Sequence, residues 1–171
     1  MVESGGHHVE LVSYCPERHG ALVASWLHQP HVSRWWGDPK KAAQELSVPP
    51  AGGGEAIIAA DGAPVGYVRW QTPSRSDLDA AGLFDVPDDV TDIDIAIGET
   101  DYLGQGIGTR ALVVLRERLV EGGTAMIILA TSVANTRAVR AYEKAGFSRR
   151  RTFIDTDGGE YWLLTFEFPP A

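Results

Sequence analysis

Cysteine is nearly absent: Cys15 is the only one in 171 residues. A single thiol forms no internal disulfide and holds no cysteine-based metal site, so a reducing cytoplasm is the expected compartment. Long apolar runs are missing, with none near the ~20 residues that cross a bilayer. The first residues, Met1 to His8, lack the basic and apolar regions of a secretory leader. Positive charge is scarce: the formal net charge is -8, and no Lys or Arg lies between Asp77 and Asp101. That stretch carries Asp77, Asp79, Asp85, Asp88, Asp89, Asp92, Asp94, Glu99 and Asp101. A surface of this sign repels polyanions, so nucleic acid is not an expected partner and a cation is. His7, His8, His19 and His28 have no ligand spacing, and no metal is expected. Repeats and low-complexity tracts are lacking too. The length suits one domain, 1–171, with a sizeable core and a flexible start over 1–8.

What is present reads as alternating strands and helices. Residues 9–13 alternate as a strand, and Pro16 opens a helix whose Leu22, Val23, Trp26 and Leu27 form one apolar stripe. The segment from His31 to Gly37 reads as a glycine-ended loop, and Asp38-Pro39 as the cap and first turn of a short helix through Leu46. Residues 55–60 and 65–71 form a hairpin around Asp61-Gly62. From Thr72 to Val90 a long loop is expected, either mobile or shaped around a ligand, with Asp77 to Asp89 solvated. A strand over 91–97, a helix over 107–121, a strand over 125–129, a helix over 135–145 and strands over 147–153 and 161–168 complete the chain. These elements specify α/β or α+β and no more. The last strand, if exposed, offers an edge for a homodimer.

Leu103-Gly104-Gln105-Gly106-Ile107-Gly108-Thr109 lies between a strand and a helix. Glycines there permit the turn and close backbone approach, while the free amides and positive dipole of the first helical turn face an anion. A P-loop needs Gly-Lys followed by Ser or Thr, which the chain lacks, and the surroundings do not suit a dinucleotide fold. A phosphate-bearing cofactor of another kind is implied.

With Asn135 through Phe147 downstream, the loop resembles that of the GNAT N-acetyltransferases, whose cofactor is acetyl-CoA. His31 to Gly37, Ile93 to Glu99 and Arg140 to Phe147 narrow the likeness to the aminoglycoside 6'-N-acetyltransferases. The resemblance implies a mixed, mostly antiparallel sheet of about seven strands flanked by about four helices. It also implies acetyl transfer to a primary amine of a cationic small molecule in a ternary complex. Another amine acceptor (a polyamine, an amino acid or siderophore intermediate, a protein terminus) or a non-catalytic acetyl-CoA-binding module are the alternatives.

That chemistry needs an amine freed of its proton, a polarised carbonyl and a stabilised thiolate. Asp94 matches the family's active-site aspartate, as base or as substrate anchor. Asp92 shares its strand face and raises its proton affinity, whereas in the plainer view both merely keep a strand soluble. Tyr142 matches the family's tyrosine and can hydrogen-bond the leaving thiolate, or simply pack on Phe147. By resemblance, Leu103 to Thr109 hold the pyrophosphate, and backbone groups of Ile95, Ala96 and Ile97 hold the pantetheine arm, with an oxyanion amide at the strand's end. Asn135 and Ala138 join them as helix cap and arm contact, and Lys144 reaches the ribose phosphate unless it is only solvated. Trp35 and Trp36 offer a flat face to a sugar or cation, or pack on the sheet. The family often places an aspartate five residues before the Asn, and here that residue is Ala130. Asp92, Glu99 or the acidic loop replaces it, or the acceptor is a smaller amine.

Overall fold

The computed structural model describes residues 6–168. Seven strands form one sheet: β1 (Val9–Ser13), β2 (Gly54–Ala60), β3 (Ala63–Gln71), β4 (Thr91–Ile97), β5 (Met126–Ser132), β6 (Ser148–Ile154) and β7 (Glu160–Glu167). Their spatial order is β1-β2-β3-β4-β5-β7-β6, antiparallel throughout except for the parallel pair β4 and β5. The helices are α1 (Pro16–Leu27), α2 (Pro30–Trp36), α3 (Pro39–Leu46), α4 (Arg75–Ala80), α5 (Ile107–Glu121) and α6 (Thr136–Lys144). The mixed, mostly antiparallel sheet matches expectation, with six helices where about four were expected.

The two additional helices fall in segments read as loops. Pro30 at the first position of α2 supplies the fixed φ of a helix start, and Gly37, at φ 82°, ends it after seven residues. Two adjacent tryptophans broke the helical periodicity and concealed it. α4 begins with a capping box in which the Ser74 hydroxyl accepts from the Asp77 amide and the Asp77 carboxylate accepts from the Ser74 amide. The acids Asp77, Asp85, Asp88 and Asp89 of the 72–90 segment are exposed, as expected, while its apolar residues anchor it. Leu78, Leu83, Val86 and Val90 are buried against Met126, Ile128, Phe153 and Leu163. Arg75, in the same segment, pairs with Asp79 and Asp88 at 2.9 and 3.1 Å, and Arg151 of β6 pairs with Asp85 at 2.6 Å, so three acids of the block have a cation partner.

Strand alternation sorts side chains onto two layers. Ile58, Val68, Ile93, Ile127 and Leu129 pack beneath Ile107, Leu112 and Leu115 of α5 and Val139 and Tyr142 of α6. Ile57 and Tyr67 face the other way, against Val23 and Trp26 of α1. The fully buried aliphatic side chains each contribute about 1.5–3 kcal/mol by leaving water.

The expectation for the last strand changes. β7 lies between β5 and β6, paired on both sides, so the edges belong to β1 and β6, and β7 has no free edge for a dimer. Of the start expected to be flexible, residues 1–5 lie outside the described residues. At His7 the chain is held: its ring bonds Asp61 and Gln105, and its carbonyl accepts from Arg110.

Candidate active site

The two parallel strands part soon after they meet. β4 and β5 are in register only at Thr91 with Ile127 and Asp92 with Ile128. Beyond this β4 stays with β3 to Ile97, and β5 stays with β7 to Ser132. A wedge opens between them, and a cleft of about 1630 Å³ runs through it, lined from both layers of the fold. The Gly98 amide donates to Val65 of β3 at 2.8 Å. Two-residue alternation therefore turns the backbone groups of Ile95 and Ile97 toward the gap, where an extended ligand can replace the missing strand. His31, read from sequence as a plain loop histidine, lies on α2 and bonds the Ile97 carbonyl at 2.9 Å across this opening. The amides of Gly98 and Glu99 both donate to the Val65 carbonyl, so neither is free to receive an oxyanion; the gap-facing amides lie earlier on β4.

At the end of the wedge the glycine turn enters α5. Gly104 and Gly106 have φ of 73° and 76°, and a Cβ on either would meet nothing within 4 Å. Glycine is needed there for backbone conformation, since an L side chain is strained in that region. Gly106 caps α5 without any side-chain bond, so the first helical amides keep their donors for an anion. Leu103, Gly104, Gly106, Ile107, Gly108 and Thr109 all line the cleft. Ile107 is 1% exposed, so its backbone alone can face a ligand. Two side chains of the turn are otherwise engaged: Gln105 bonds His7 and the Asp101 carbonyl, and the Thr109 hydroxyl donates to Ala141 of α6.

α6 supplies the facing wall. Asn135 caps it, accepting from the Ala138 amide at 3.4 Å while its own amide donates to Thr131 at 3.2 Å. Capping is thus its observed role. Arg137, Arg140 and Lys144 all line the cleft, joined by Arg110 of α5. Their spacing of three and four residues puts the α6 cations on one helical face, a pattern open to sequence reading yet overlooked for the two arginines. Tyr142 is 8% exposed and packs in the core with Phe147, while also lining the cleft. Every sealed side-chain polar atom among the described residues has a hydrogen-bond partner, and the Tyr142 hydroxyl has none, so that hydroxyl is reachable from the cleft. Burial, followed by the charges of Asp94 and Asp92, pushes its pKa above the usual phenol range and keeps it a proton donor.

The other layer makes an acidic floor. Asp92, half-buried, and Asp94, exposed, share one face of β4 and line the cleft. Burial among protein atoms raises both pKa values, with the charge of Asp94 adding to the effect at Asp92. At Asp94 the nearby Arg69 guanidinium opposes the rise and Glu45 adds to it. Glu45, Asp77 and Asp155 line the same space, and Asp155 also raises Asp92. Asp77 belongs to the acidic loop expected as one substitute, whereas Glu45 and Asp155 were not singled out, because only the tertiary fold brings α3, α4 and the β6–β7 turn together. Ala130, on β5, lines the cleft as well. Trp35 and Trp36 both line it: Trp36 packs on Tyr67 with ring centroids 6.5 Å apart, and Arg34 lies 4.7 Å over the Trp35 ring. Glu99 is placed differently from the other expected site residues: its carboxylate accepts from Trp26 at 2.8 Å, and it is not among the residues lining the cleft.

Residues 15–154 match the acetyltransferase (GNAT) domain, and the chain belongs to the GNAT acetyltransferase family. It is 30% identical over 156 residues to aminoglycoside N(6')-acetyltransferase type 1 of Klebsiella pneumoniae, across 84% of this chain and 76% of the relative. The crystal structure of the aminoglycoside acetyltransferase AAC(6')-Ib in complex with coenzyme A superimposes with a TM-score of 0.79 at 27% identity, covering 94% of this chain and 95% of that one. The same enzyme with coenzyme A and kanamycin gives 0.78 at 26% identity, with the same coverage. No helix among the described residues is long and apolar enough to cross a membrane.

Proposed function

We propose that this chain transfers the acetyl group of acetyl-CoA to the 6'-amine of an aminoglycoside, as a single domain acting in the cytoplasm. The observation that carries the reading is the polarity of the cleft: cations and free helix amides at one end, carboxylates at the other, with the unpaired β4 backbone between them. An anionic cofactor and a polycationic acceptor meet there with complementary charge. Acetyl-CoA supplies an activated thioester. The glycine turn and the α6 row (Arg137, Arg140, Lys144) suit its phosphates, and the backbone of Ile95 and Ile97 suits its pantetheine arm.

Asp94 anchors the acceptor ammonium and takes its proton, directly or through water. The C–N bond forms as the C–S bond breaks, and the Tyr142 hydroxyl donates a hydrogen bond, or its proton, to the departing sulfur. Attack is direct, because the sole thiol, Cys15, is not among the residues lining the cleft. Ala130 supports a second reading, a smaller amine acceptor needing fewer anionic contacts.

Acetyl-CoA-dependent thiol release with neomycin and paromomycin, which carry an amine and a hydroxyl at the 6' position, tests the proposal. Release with neomycin and little with paromomycin is expected. Equal rates with both would move the reaction to another amine. No release with either would refute the aminoglycoside reading.

A further inference from the structure

Arg69 is a buried cation that the chemistry above does not use. It is 5% exposed, on β3, with its side chain at the cleft floor. Strand register places Glu55 of β2 beside Arg69, and Arg69 beside Asp94 of β4. Cross-strand partners share a face, so a row of alternating charge, negative, positive, negative, runs across three strands and ends at Asp94. The guanidinium also reaches outward. Nη1 donates to Glu55 and to the Leu46 carbonyl, each at 3.3 Å, and Nη2 donates to the Val48 carbonyl at 2.5 Å. Tyr67 completes the cluster, its hydroxyl donating to Glu55 at 2.6 Å.

Those two carbonyls belong to the end of α3 and to the connection Ser47–Gly53, which has no regular structure and contains two prolines and two glycines. Glu45, Leu46, Val48, Pro49 and Ala51 of this stretch line the cleft, and Val48 is 62% exposed. Its backbone bonds lie at its two ends, where Ser47 and Val48 donate to α3 and Ala51 accepts from Thr72, and between them Arg69 holds the Leu46 and Val48 carbonyls. A planar guanidinium suits the task because its fork reaches two carbonyls and a carboxylate together, which an ammonium does not.

We propose that Arg69 is a positioning residue for acetyl transfer: it clamps the α3–β2 wall onto the cleft floor and sets the positive charge that faces Asp94. This rests on the reading of Asp94 as the group that meets the amine. The other ionisable groups around Asp94 are Glu45 from α3, Asp92 on its own strand and Tyr142 from α6, with His31 of α2, Asp77 of α4 and Asp155 lining the same cleft. Against these acids Arg69 is the group that lowers Asp94's proton affinity.

The test is the ¹³C carboxyl titration of Asp94 in the whole chain, with no acceptor or cofactor present and the resonance assigned by its loss in Asp94→Asn. Arg69→Gln should raise the midpoint by about one pH unit, the lower end of what an adjacent arginine produces. Glu55→Gln, which leaves Arg69 uncompensated, should lower it. Arg69→Lys should hold the midpoint near wild type yet speed proteolysis within 47–53 and raise KM for neomycin more than it lowers kcat. An unmoved midpoint in Arg69→Gln overturns the proposal. Should that variant not fold, an unmoved midpoint in Glu55→Gln does the same. Because the titration needs no acceptor, a chain that shows these shifts but does not acetylate neomycin overturns the aminoglycoside reading and leaves the charge row standing.

Discussion

Replacing Asp92 by Asn removes one of the two carboxylates that β4 presents to the cleft. Alternate residues on a strand lie ~7 Å apart. Two unit charges at that distance repel by about 2.4 kcal/mol at an effective dielectric of 20, and by about 0.6 kcal/mol at 80. At 1.36 kcal/mol per unit, the proton affinity of Asp94 should fall by roughly 0.5 to 2 pKa units in Asp92→Asn. Stability should move too, and the sign follows from the raised values. Carboxylates that are harder to ionise in the folded than in the unfolded chain destabilise the fold progressively as pH rises from the ordinary carboxylate value through their folded pKa values, and by a constant amount above. Asp92→Asn escapes much of that penalty. Its Tm should therefore exceed that of wild type at pH 8, by about 2–4 °C for each kcal/mol recovered, and the two should converge near pH 4. Carboxyl titration of Asp94 and calorimetry across pH 4 to 8 measure both effects. An unchanged Asp94 midpoint together with no Tm gain at pH 8 would refute the idea that the two carboxylates interact.

Three further substitutions probe other parts of the cleft. Tyr142→Phe removes a hydroxyl with no protein partner, so Tm and coenzyme A affinity by calorimetry should hold while kcat drops about 10- to 100-fold, the loss of one charge-assisted hydrogen bond; an unchanged kcat would reduce Tyr142 to packing. Gly106→Ala forces a side chain into a left-handed conformation with open space around it, a strain of about 1–2 kcal/mol. Coenzyme A titration should show weakened binding as the cap deforms, and wild-type affinity would argue that the turn does not cradle the phosphates. Gly98→Ala would drive a Cβ into the Trp26 ring. Overpacking of this kind typically costs about 1–3 kcal/mol, so denaturant unfolding should show a clear loss, and a neutral result would mean that β4 and α1 are not tightly apposed.

Much of the site was legible in the chain because its signals are local. The glycine turn, the Asn135 cap, the alternation that puts Asp92 and Asp94 on one face, and the hairpin at Asp61-Gly62 each depend on residues a few positions apart. The family motifs lie in the same short segments. α2 and α4 escaped because their information is weak locally: a tryptophan pair obscures the helical period of one, and the other is a single capped turn or two whose apolar residues find partners on β5, β6 and β7.

Charge pairing escaped for the same reason. A run of acids without a single base reads as solvated, and most of these acids are exposed, yet Arg75 and Arg151 pair with three of them. Glu99 ends a family motif and is claimed by Trp26, 73 residues away. Strand order moved β7 from an edge to the interior, and strand register brought Glu55, Arg69 and Asp94 into one row. By itself the sequence determined the turns, the caps and the face each side chain takes along its own element, because φ preference, hydrogen-bond spacing and helix or strand period act over neighbouring residues. Only the tertiary structure decided where β4 and β5 part and which distant charges share the resulting cleft, because pairing and burial act between segments whose separation along the chain carries no record of their distance in space.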